Sequence, residues 1–113
     1  PLVPDTLVMR VKLGGVTILT TGVQTPAGTL STGGWSLNAN IVCQTTGGAG
    51  TVFGQGDFPH FTGVTYANWP MVNSSTTVLN TTGANVVEIT AQWGAATSAS
   101  QLFMTQAVGE LLN

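Results

Sequence analysis

The chain has 113 residues and a mass of 11.6 kDa, enough for one compact domain with one core. Only 5% of its residues are charged, two basic and four acidic, where an ordinary soluble domain carries about 25%. That balance excludes nucleic-acid binding, which needs clustered Lys and Arg, while 42% hydrophobic residues exclude charge-driven disorder and no apolar run approaches the roughly 18–20 residues of a membrane-inserted helix.

The opening residues Pro1-Leu2-Val3-Pro4 hold neither an initiator methionine nor the basic and apolar regions of a signal peptide. The chain therefore reads as the C-terminal part of a longer protein, with one β-sandwich domain over residues 1–113. Thr occurs 19 times and Gly 15 times, a mixture that opposes helix and suits strands joined by tight turns. Over residues 6–13, Leu7, Met9, Val11 and Leu13 share one face and Arg10 and Lys12 the other, the period-2 signature of a half-buried strand. Gly14-Gly15 supplies a two-residue hairpin turn with positive φ, and a second strand spans 16–21.

After a Thr-, Gly- and Pro-rich loop (22–34), the next strand runs over 35–45, with Trp35, Leu37, Ala39, Ile41 and Cys43 inward. Gly47 to Gly50 turn the chain. Residues 51–58 return as a strand whose Gly54 and Gly56 indicate a bulge or a close backbone approach. Residues 57–70 crowd Phe58, His60, Phe61, Tyr66 and Trp69 among prolines and read as an ordered loop or a broken strand. A short strand is expected over 76–80 and a strong one over 85–93, with Val87, Ile89, Ala91 and Trp93 inward. Gly94 to Ser100 form a loop of small residues. The last strand, 101–112, is apolar on both faces, although a short helix competes there. Seven or eight short antiparallel strands make an all-β sandwich of jelly-roll type.

Catalytic side chains are scarce, and no enzyme is expected. His60 is the sole imidazole; with Asp57 and a hydroxyl it imitates part of a triad, but it reads better as a loop residue bonded to backbone. One His and one Asp are too few for zinc, so neither a metal nor a cofactor is expected. Cys43 reads as a small core side chain. The glycine clusters at 47–50 and 54–56 lack the Lys-Ser/Thr and the helix start of a phosphate loop. The segment that carries a functional reading is the aromatic one. Tyr66 and Trp69, with Asn68 and His60, are candidates for gripping a sugar, since aromatic faces suit apolar CH patches and amides suit hydroxyls. The competing reading has the same aromatics closing one end of the sandwich or packing between subunits.

Taken together, Leu7-Val8-Met9-Arg10-Val11-Lys12-Leu13-Gly14-Gly15, Gly34-Trp35-Ser36-Leu37, Cys43-Gln44-Thr45-Thr46-Gly47, Met71-Val72-Asn73, Val87-Glu88-Ile89-Thr90-Ala91-Gln92-Trp93-Gly94 and Val108-Gly109-Glu110-Leu111-Leu112 resemble the C-terminal β-sandwich of bacteriophage tail fibres, tailspikes and head fibres. The resemblance implies a virion location, a jelly-roll-like fold and a homotrimer serving as a trimerisation or host-facing tip. It brings no active site. A last strand apolar on both faces fits a trimer with Phe103, Leu111 and Ala107 at the interface. The alternative function is a carbohydrate-binding module for host cell-surface polysaccharide.

Overall fold

The computed structural model describes residues 6–26, 34–62, 64–73, 76–94, 104 and 106–109. They form an all-β sandwich of seven strands: β1 (Leu7–Leu13), β2 (Val16–Thr20), β3 (Asn38–Thr45), β4 (Gly50–Thr62), β5 (Thr65–Val72), β6 (Thr77–Leu79) and β7 (Val87–Trp93). Sheet A has the order β2-β1-β7, and sheet B has β3-β4-β5 with β6 also on β4. All pairings are antiparallel.

The first hairpin follows the alternation in the sequence. Gly14 and Gly15 have φ of 58° and 82°, the two positive values that a tight turn matching strand twist requires. Leu7, Met9 and Val11 point inward from β1 and join Ile18 and Leu19 of β2. Sheet B answers with Val52, Phe58, Met71 and Leu79, and these nine residues are the buried core. Removing each from water contributes roughly 1.5–3 kcal/mol. Asn73, after β5, ties the layers by donating from Nδ2 to the Ile18 carbonyl of β2 at 3.1 Å.

Residues 57–70, expected as a loop or broken strand, are instead the paired arms of the β4–β5 hairpin. The prolines allow this because of where their missing N–H groups fall. Ser36 N donates to Pro59 O and Phe61 N to Gly34 O, so odd-numbered residues of β4 turn their backbone groups away from β5. Pro59 and Pro70 both occupy non-hydrogen-bonded positions of the β4–β5 ladder, where no donor is needed. Pro59 has no N–H to give the Ser36 carbonyl in return. Consequently β3 starts at Asn38, later than the expected Trp35, and Trp35 pairs with His60 through an isolated bridge.

Gly54 and Gly56 mark close backbone approach, the second of the two readings. A Cβ on Gly54 would stand 3.1 Å from the Asn40 carbonyl oxygen, and one on Gly56 would collide with that of Asn38. Their bareness brings β3 flat against β4. β5 and β6 run along the same side of β4, one after the other, β5 ending at Val72 and β6 starting at Thr77.

Two expectations about the inward face need correction. Cys43 is exposed rather than a core side chain. Val87, Ile89 and Ala91 are also exposed, and Trp93 is half-buried. Their parity is as expected: Ile89 lies opposite Val11 and Ala91 opposite Met9, while Cys43 lies opposite Val52, and all three of these partners are buried. β3 and β7 are the outermost strands of their sheets, and among the described strands β3 packs chiefly on β4 and β7 on β1. The strand expected over 101–112 lies largely outside the described residues; residues 104 and 106–109 carry no strand.

Candidate functional site

β4 sorts the candidate residues by alternation. Its even-numbered positions face the core: Phe58 is 0% and His60 1% exposed. Trp69 of β5 lies opposite Phe58 and its ring stacks there at 5.6 Å. It also meets the His60 ring at 4.3 Å, and Trp35 meets Phe58 at 5.5 Å. His60 Nδ1 lies 3.0 Å from the Phe58 carbonyl, which can only accept, so Nδ1 carries the proton. Nε2 is buried with no partner among the described residues. His60 and Trp69 therefore belong to the core of sheet B.

The odd-numbered positions face outward. Phe61 lies opposite Tyr66, their rings edge-on at 5.4 Å and 63°, and they are 42% and 59% exposed. Beyond them, Pro59 lies opposite Asn68 and Asp57 opposite Asn38. Asn38 Nδ2 donates to Asp57 Oδ1 at 3.1 Å, and Asn68 Nδ2 donates to Oδ2 at 3.3 Å. Asp57 and His60 thus stand on opposite faces of β4, and the partial triad does not assemble. The four residues named for sugar binding also divide. Tyr66 and Asn68 share the outward face, joined by Phe61, Asp57 and Asn38, while Trp69 and His60 are on the inner side.

A third region is the flank between the two outermost strands. β2 packs over β4 and β5, and β7 stands at the other end of sheet A. There a cleft of about 340 Å³ is lined by Trp35, Leu37, Ile89, Met104, Ala107 and Val108, among others. Ile89 is 39% and Val87 65% exposed, although both carry core parity. Of the residues named for a trimer interface, Ala107 is exposed in this cleft, and Phe103 and Leu111 lie outside the described residues. Among the described residues, no group of three or more His, Cys, Asp or Glu is placed to hold a metal ion.

No family model, curated protein or solved structure matches the chain.

Proposed function

We propose that the chain is a non-enzymatic structural domain of a bacteriophage appendage that holds three copies together. The observation that carries this reading is the exposed apolar side of β3 and β7 among the described residues. Ala39 and Cys43 of β3, and Val87, Ile89 and Ala91 of β7, sit on the core side of their sheets yet remain exposed. A solitary protein of this charge content has little else to keep such a surface in solution. Closed rotational symmetry covers it without open-ended growth. The assignment to a phage appendage rests on the sequence resemblance, and the trimer on the resemblance together with the flank. A tip domain of this kind faces the host, so contact with a surface receptor is part of the same reading.

Cys43 supplies an internal test. Its side chain lies on the flank, so a thiol reagent should label it several-fold more slowly in the assembled protein than in the unfolded chain. Labelling in the native protein at the unfolded-chain rate, at every protein concentration, would count against the flank as the interface.

A further inference from the structure

We propose that the outward face of sheet B, from the Phe61–Tyr66 pair to the Asp57–Asn38 pair, is a binding site for a neutral saccharide. The inference is independent of the assembly reading, since this face is turned away from the core and is not the flank between β3 and β7.

The face has the two surfaces that a sugar ring asks of a protein. One end is aromatic. Phe61 and Tyr66 stand edge-on, so one ring gives a face for the CH side of a pyranose and the other a wall beside it. Both are substantially exposed, and the chain's own core already has its aromatics in Phe58, Trp35 and Trp69. The other end is polar and held in place. An ionised carboxylate only accepts, so Asn38 and Asn68 must both turn their NH₂ groups to Asp57, which sets the orientation of both amides. Asp57 has about four acceptor positions and, among the described residues, uses one on each oxygen. The remaining positions, with the Oδ1 atoms of the two amides, are left to receive hydroxyl protons, and the second N–H of each amide to give one back.

Spacing and charge specify the ligand further. Residues 57 to 61 on one strand span about 13 Å, long enough for a short oligosaccharide laid along β4, with Pro59 as an apolar floor midway. Arg10 and Lys12, the basic residues of the chain, are both on β1 in the other sheet. A sulfated, phosphorylated or uronic-acid ligand would find no cation here and would meet Asp57. A neutral, hydroxyl-rich ligand finds a match, and so the polar–aromatic face selects neutral saccharide over anionic saccharide, phosphate or nucleic acid.

The test uses the whole chain on an immobilised panel of neutral oligosaccharides and their uronic-acid and sialylated counterparts, followed by titration with the neutral member retained. The expected result is retention of neutral members in preference to anionic ones, with NMR shifts at the side-chain amides of Asn38 and Asn68. Tyr66→Ala and the isosteric Asp57→Asn should each weaken binding about tenfold or more, the loss of a stacking partner or of hydrogen bonds to a charged group. Both variants should keep the wild-type circular dichroism and sedimentation mass. Retention of no neutral member, a preference for anionic ones, or undiminished binding by the two variants would overturn the proposal. So would a change in sedimentation mass on Tyr66→Ala, which would give this face to a second copy of the chain.

Discussion

Replacing Ile89 with aspartate is expected to dissociate the proposed trimer while leaving each chain folded. In the separate chain Ile89 is 39% exposed, on the outermost strand of sheet A, so a carboxylate there keeps contact with water. In the proposed trimer the same position would be covered by a neighbour. An unpaired charge buried at an interface costs about 3–5 kcal/mol, which weakens association by a factor of 100 or more per site. Circular dichroism should be unchanged, the sedimenting mass should fall to that of one chain, and Cys43 should become freely reactive. Unaltered mass for Ile89→Asp, with Val87→Asp equally silent, would remove the β7 flank from the interface.

Phe58→Ala has the opposite character and is expected to cost about 3–5 kcal/mol of stability. Phe58 is fully buried and its ring is shared by Trp35, His60 and Trp69. Removing it leaves a void among three aromatic rings that the sheet cannot readily close, since Gly54 and Gly56 already bring the β3 backbone close against β4. Small domains hold about 5–15 kcal/mol in total, so the variant should lose a large part of its stability. The check is the urea midpoint followed by tryptophan fluorescence, because Trp35 and Trp69 border the void. A midpoint within experimental error of wild type would mean that Phe58 is not the centre of the core.

The fold was largely legible where one face of a strand is apolar and turn residues flank it. β1, its Gly14-Gly15 turn, β2 and β7 follow from alternation and glycine placement alone. The β4–β5 hairpin was not legible, because Pro59 and Pro70 look like strand breakers until the ladder's donor positions are known. Those positions depend on which neighbour each backbone group faces, and local sequence does not carry that. Cys43, Val87 and Ile89 illustrate a second limit. Alternation tells which side of a sheet a residue takes, but cover depends on what packs over that side, and at an outermost strand nothing in the same chain need do so.

The outward face of sheet B was legible in part. Tyr66 and Asn68 stood out as an exposed aromatic beside an amide. Phe61, Asp57 and Asn38 were missed as their companions because Asn38 and Asp57 are 19 residues apart and meet only through the β3–β4 register. A signal was available: once residues 57–62 are read as strand, Phe61 and Asp57 share a face and Phe58 and His60 take the other. The proline-rich appearance of the segment masked that period. Trp69 and His60 were grouped with Tyr66 by proximity along the chain, which alternation on paired strands overrides.

Sedimentation equilibrium of the wild-type chain tests the account at its centre. Three chains of 11.6 kDa should sediment as one species of about 35 kDa at micromolar concentration, with the Ile89→Asp variant at the mass of a single chain. A wild-type protein that remains a well-folded species of about 12 kDa over the same concentrations would contradict the trimer and leave the apolar flank of β3 and β7 without the role assigned to it.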